Sequence, residues 1–190
     1  MPSFSEINLP AGILQAPFYS INQSDSENYG GIGTIIAHEI SHAFDSNGAK
    51  FDAFGNLNNW WTPADFAAFE QRTQAMAAEF DGLDYAGVKL NGQQILGENI
   101  VDAGGLSCAL EAAKRSDQVD LVAFFNHLAL IWRLKTTETF QQFMVNIDVH
   151  APGSLRTNIQ AQNIDDFYQT FHVTEQDQMW LAPDKRVQIW

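Results

Sequence analysis

The stretch AHEISHAFD at residues 37–45 sets two histidines four apart around a glutamate, inside an otherwise apolar run. No other feature constrains the local fold as tightly. On an α-helix positions i and i+4 lie one turn apart on one face, so His38 and His42 can reach a common ion if TIIAHEISHAF is helical. Glu39 then stands beside such an ion without ligating it. From there its carboxylate can take a proton from a metal-bound water whose pKa has fallen to about 7. The bland alternative is a partly buried helix with two incidental histidines.

The spacing is the HExxH pattern of zinc hydrolysis, and it makes a demand on the rest of the chain. A catalytic zinc needs a third protein donor and one position left open. GENIVDAGG at residues 97–105 offers the donor. Glu98 and Asp102, four apart, share a helix face; Glu98 completes a His₂Glu set, while Asp102 can bond a histidine's second ring nitrogen and fix its tautomer. Asp45, three residues past His42, is placed to do the same for the other ring. A solvated helix face would account equally for Glu98 alone. Against that stand Gly104 and Gly105, since glycine inside a helix costs about 1 kcal/mol unless something approaches closely. Tight packing against the histidine helix gives them a use.

The 190 residues are 45% hydrophobic and 17% charged, which suits one globular domain. A net charge of −13 with no basic stripe argues against nucleic acid as a partner. LVAFFNHLALIW at 121–132 is too short to span a membrane and is interrupted by Asn126 and His127. The N-terminus has neither the basic start nor the apolar core of a signal peptide. With a single cysteine, Cys108, there is no internal disulfide framework. The cytoplasm is the expected compartment, provided Met1 is the natural start.

No repeat, low-complexity tract or long linker divides residues 1–190, which read as one catalytic-type domain. Residues 7–19 suggest a short strand and then irregular chain, broken by Pro10, Gly12 and Pro17. SDSENYGGIG at 24–33 is turn chemistry leading into the histidine helix. Thr62 followed by Pro63 predicts a helix to about Phe80. Further helices are expected at about 95–114 and 118–134, and Asn163 with Asp166 resembles a cap for a helix through Phe171. The fold class is mainly α, an α+β arrangement with little strand.

HEISHAFD, with GENIVDAGG beginning so that 55 residues separate His42 from Glu98, resembles the neprilysin and endothelin-converting enzyme family of zinc endopeptidases, bacterial oligopeptidase O members included. LPAGILQAPFY, NYGGIGTIIAHEISHAFD, FDAFGNLNNWW, DVHAPGSLRTN and RVQIW resemble stretches of that family in the same order, over nearly the whole chain. The resemblance implies a zincin, thermolysin-like catalytic domain with an HExxH helix and a downstream glutamate helix, binding one Zn²⁺ per chain. It implies His38, His42 and Glu98 as zinc ligands, Glu39 as general base, and Asp45 and Asp102 as the carboxylates that orient the histidines. His150 matches a histidine that bonds the developing oxyanion; Glu39, His150 and Asp102 form the implied catalytic set. Arg156 matches an arginine that binds a substrate main-chain carbonyl. Ile13, Phe18, Ile35 and Trp132 fall where the family lines an apolar side-chain pocket, although core packing explains them equally well. The implied substrates are short peptides, cut on the amino side of a hydrophobic residue.

The chain also departs from the family. Its members are several times longer, with an N-terminal helical region that roofs the site, and their asparagine-alanine substrate-binding motif lies upstream of MPSFSEINLP. RVQIW lacks the cysteine of secreted animal relatives, which favours a bacterial, intracellular type. A second reading is therefore a truncated zinc-binding fragment with little turnover, completed by another chain or by the missing N-terminal region. Loss of the roof would expose apolar surface and favour self-association. A third, a purely structural helical domain, sits badly with HExxH, ExxxD and HxxxxxR together. Of the remaining candidates, His127 and His172 read as structural, Cys108 as a packed thiol, and FDAFGN as a turn rather than a calcium loop.

Overall fold

A computed structural model describes residues 6–190. Where a strand was expected near the start, Ala11–Ile13 forms a single 3₁₀ turn. Pro10 and Pro17 have no N–H to give to a ladder, and the Gln15 side chain closes the turn instead by donating to the Gly12 carbonyl at 2.8 Å. Helix α1 (Asp25–Asn28) opens with a reciprocal Ser24–Glu27 capping box and passes through a π turn, Tyr29–Gly33, into α2 (Thr34–Ser41). The chain continues as a 3₁₀ turn, His42–Phe44. The expected histidine helix is therefore present, with His42 one step past the last α-helical residue.

Helix α3 (Pro63–Phe80) starts as its sequence requires: the Thr62 hydroxyl accepts from Asp65 N, and Pro63 occupies the first turn. A short antiparallel hairpin follows, β1 (Asp84–Tyr85) with β2 (Val88–Lys89), Asp84 opposite Lys89. Its two-residue turn holds Ala86 and Gly87 at positive φ, the primed geometry that matches strand twist. Helix α4 (Leu96–Ala113) agrees with the expected 95–114. Helix α5 (Leu121–Ile131) is shorter than the expected 118–134, because the Asp120 carboxylate caps it by accepting from Ala123 N. Two helices not foreseen follow, α6 (Glu138–Ile147) and α7 (Gly153–Gln162), and then α8 (Asp165–Phe171). Asn163 does not cap α8. Its amide donates to both Glu79 carboxylate oxygens and accepts from Val187 N, tying α3 to the C-terminal segment instead.

Helix α4 joins two apolar clusters, and this fixes the site helices. Ile100 packs with Met76, Phe80 and Ile95 on one side, while Leu106 and Leu110 pack with Phe124, Phe125 and Leu128 on the other. Helix α2 lies directly on α4. A Cβ at Gly105 would stand 2.8 Å from the Thr34 carbonyl oxygen and 2.9 Å from His38 N, and one at Gly104 would stand 2.6 Å from Ser41 Oγ. The glycine pair thus has the use its sequence suggested. Cys108, expected to be packed, faces solvent on the outer side of α4. Among the described residues no helix is long and apolar enough to cross a membrane.

Candidate metal centre and active site

The two histidines of α2 are held from behind. His38 Nδ1 lies 2.8 Å from Asp102 Oδ1 on α4, and His42 Nδ1 lies 2.7 Å from Asp45 Oδ2. The second contact depends on the turn that ends the histidine segment. Asp45 Oδ1 accepts from the backbone N–H of Asn47 at 2.6 Å and Gly48 at 2.7 Å. A side chain at residue 48 is excluded, since a Cβ there would meet the His42 carbonyl oxygen at 1.8 Å. With both Nδ1 positions taken, each ring presents Nε2 forward.

The third donor reaches the same point. Glu98 Oε2 is 3.3 Å from His38 Nε2, 3.7 Å from His42 Nε2 and 3.2 Å from His150 Nε2. Ligand atoms of His38, Glu39 and His42 also lie within 4.8 Å of one another. Glu98 Oε2 is buried, yet makes no hydrogen bond of acceptable geometry among the described residues. A buried acceptor without a donor is costly. Two imidazole nitrogens and a carboxylate oxygen crowded together fit a small divalent cation, and the N₂O donor set suits zinc. Glu39 itself is exposed at the mouth of this cluster.

Electrostatics agree with the donor set. Burial disfavours the charged form of His38, but the Asp102 and Glu98 carboxylates outweigh it and raise its pKa to about 9. Glu98 would be pushed up by burial, yet His150 and His38 hold it well below the usual carboxylate range. Asp102 is likewise kept ionised against its burial, by His38 and Arg156. Glu98 raises His150, against burial and with help from Asp148. Imidazoles ligate a metal only in the neutral form, so binding of a cation here would release protons.

His150 and Arg156 flank the cluster. Asp148 Oδ1 accepts from both His150 Nδ1 and the His150 backbone N–H at 2.9 Å, which orients the ring toward Glu98. Arg156 grips Asp102 with two bonds, Nε to Oδ2 at 2.8 Å and Nη2 to Oδ1 at 2.7 Å, and its guanidinium lies 3.8 Å over the Trp132 ring. Trp132 and Arg156 line two spaces. One, of about 20 Å³, also touches Ile35 and His38. The other, of about 350 Å³, is walled by Leu134, Phe140 and Met144 and includes His150. Ile13 and Phe18, both half-buried, line neither. The structure therefore gathers His38, Glu39, His42, Asp45, Glu98, Asp102, His150 and Arg156, with Ile35 and Trp132 beside them. Asp148 was missed in the sequence, although an acid two residues before a histidine is a recognisable Asx-turn signal. His127 and His172 stay outside the cluster. His127 bonds the Pro17 carbonyl at 2.6 Å, and His172 ends α8 in the left-handed region.

The sequence profile of peptidase family M13 matches residues 1–187. The chain belongs to peptidase family M13. Among its M13 relatives, the neutral endopeptidase of Lactococcus lactis subsp. lactis is 54% identical over 189 residues, covering all of this chain and 30% of that protein. Human neprilysin is 36% identical over 202 residues, covering 98% of this chain and 27% of neprilysin. The crystal structure of PEPO from Lactobacillus rhamnosis superposes with a TM-score of 0.91 at 50% identity, over 96% of this chain and 29% of that one. The Mycobacterium tuberculosis zinc metalloprotease ZMP1, in complex with an inhibitor, gives a TM-score of 0.95 at 38% identity, over all of this chain and 32% of that one. The chain thus spans about 30% of the length of the curated relatives it matches. M13 members are metallopeptidases, and the mainly helical fold with an HExxH helix on a glutamate helix is theirs.

Proposed function

We propose that this chain is the zinc-binding catalytic part of an M13 endopeptidase that hydrolyses short peptides. One observation carries the proposal: His38 Nε2, His42 Nε2 and the orphaned Glu98 Oε2 converge within 3.7 Å of that oxygen. His38, His42 and Glu98 would hold one zinc per chain. When bound, zinc supplies Lewis-acid polarisation of a carbonyl oxygen and lowers the pKa of water. Glu39, exposed beside the ligands, takes the proton of the attacking water and returns it to the leaving amine. His150, oriented by Asp148, donates from Nε2 to the oxyanion as it develops. Asp102 fixes the His38 tautomer and locks Arg156, whose remaining nitrogen, Nη1, has no hydrogen-bond partner among the described residues and can align a peptide carbonyl. Cleavage on the amino side of a hydrophobic residue is part of the proposal and rests on resemblance. So is a cytoplasmic site of action, which the single cysteine suits.

A second reading has its own observation. Phe54 is 88% exposed, Ile21 86% and Leu57 76%, large apolar side chains that a covering surface would take out of water. On that reading the chain binds zinc but turns over little until the rest of a longer protein, or another chain, covers it, and alone it self-associates. Cleavage of a quenched peptide by the zinc-loaded chain, beside Glu39→Gln, separates the two. Cleavage by the parent alone, with zinc retained in both, supports the endopeptidase. Zinc without cleavage supports the fragment, and loss of zinc from Glu39→Gln refutes the role given to Glu39.

A further inference from the structure

His150 stands on a segment with little regular structure of its own. Helix α6 ends at Ile147, Asp148 turns to extended backbone (φ −78°, ψ 143°), and α7 begins only at Gly153. The His150 side chain is 39% exposed, so packing alone does not fix it. Its partner Asp148 belongs to the same segment, and the two bonds at 2.9 Å between them set the ring against its own loop. Such a loop drifts unless a neighbouring element holds it.

Gln94 supplies that hold. Its Nε2 donates to the carbonyl of Asp148 at 2.7 Å and to that of Val145 at 3.3 Å. Val145 lies in the last turn of α6, where carbonyls have run out of helical N–H partners. One amide therefore finishes the helix and grips the residue that orients His150. Among the described residues, no other side chain from outside 138–150 bonds the backbone of 145–150. Gln94 is itself fixed. Its backbone N–H donates to Asn91, to the carbonyl at 3.1 Å and to Oδ1 at 3.2 Å. The Gly92 N–H donates to Asp81 Oδ1 at 3.0 Å, and a Cβ at Gly92 would stand 2.0 Å from the Ala77 carbonyl oxygen. The turn before α4 thus sits hard against the end of α3, and Glu98 follows Gln94 by four residues, in the first turn of α4.

We infer that Gln94 is a positioning residue: through the Asp148 carbonyl it fixes His150 relative to Glu98, holding His150 Nε2 at 3.2 Å from Glu98 Oε2. The use of this link in catalysis rests on the peptidase proposal. The test compares the zinc-loaded parent with Gln94→Met, which keeps the length but has no donor, and Gln94→Asn, whose amide is one methylene short. Against a quenched peptide, both variants lose about ten- to hundredfold in kcat with KM little changed. A misaimed donor at the oxyanion weakens the transition state and not substrate binding. In a His150→Ala background Gln94→Met costs nothing further, since Gln94 acts through that ring. A second readout needs no turnover. In chain carrying isotope-labelled histidine, the His150 ring resonance, assigned by its absence from His150→Ala, is single and sharp in the parent and broadened or shifted in both variants.

With an active parent, an unchanged kcat in Gln94→Met, a loss that repeats in full on top of His150→Ala, or an unmoved resonance overturns the inference and leaves the peptidase standing. With a parent that cleaves nothing, the resonance decides. Its movement in both variants upholds the link while the peptidase falls, and an unmoved resonance overturns both.

Discussion

Asp102 answers to two masters. One oxygen faces His38 Nδ1 at 2.8 Å, and both receive Arg156. Asp102→Asn keeps the shape but loses the charge, so His38 loses its tautomer control and Arg156 is left unpaired in a site where its side chain is 8% exposed. Zinc affinity, measured by chelator competition, should fall roughly 10–100-fold; an unchanged affinity would show that the carboxylate does not orient the ligand. This residue was legible in the sequence because Glu98 and Asp102 share the i, i+4 geometry of His38 and His42, and a helix converts spacing directly into shared position. Its bond to Arg156 was not legible. The two lie 54 positions apart, and only the fold brings α7 to α4.

Between elements, the decisive contact is the backbone approach of α2 to α4. Gly105→Ala would put a methyl 2.8 Å from the Thr34 carbonyl oxygen and 3.0 Å from His38 Cα, atoms that cannot rotate away. The expected outcome in thermal or urea unfolding is a loss of about 1–3 kcal/mol, together with weaker zinc binding as His38 moves from Glu98. Wild-type stability and affinity in that variant would mean the helices have slack. Helices α3 and α4 could be read closely because each carries its own evidence: a Thr-Pro start, or an acidic first turn and a long apolar pattern. Helix α7 carries almost none. Pro152 precedes it without a side-chain cap and Gly153 opens it. It is held by packing instead, Gly153 against the Trp132 carbonyl and Gln160 Nε2 on the Asn99 carbonyl at 2.9 Å. The short strand expected within 7–19 failed for the opposite reason: β-favouring residues were present, but prolines left too few donors, and among the described residues no strand pairs with this segment.

Across the whole molecule, Glu79 links stability to pH away from the metal centre. Burial raises its pKa to about 7, only partly offset by the Asn163 amide. An acid raised in the folded state opposes folding where the unfolded chain is already ionised, so the parent loses stability as pH rises from about 4.5 to about 7 and carries the full penalty above that. Glu79→Gln keeps an acceptor for Asn163 without the charge. It should therefore be more stable than the parent by roughly 1–3 kcal/mol at pH 8, with the difference gone near pH 4; equal unfolding curves at pH 8 would mean the carboxylate is adequately solvated. The central claim is that α2 and α4 together hold one zinc. It is tested most directly by counting bound zinc in the metal-loaded chain and in Glu98→Ala by elemental analysis after dialysis. One zinc per parent chain and far less than one in the variant is the predicted result. No zinc in the parent, or full zinc in Glu98→Ala, would contradict it.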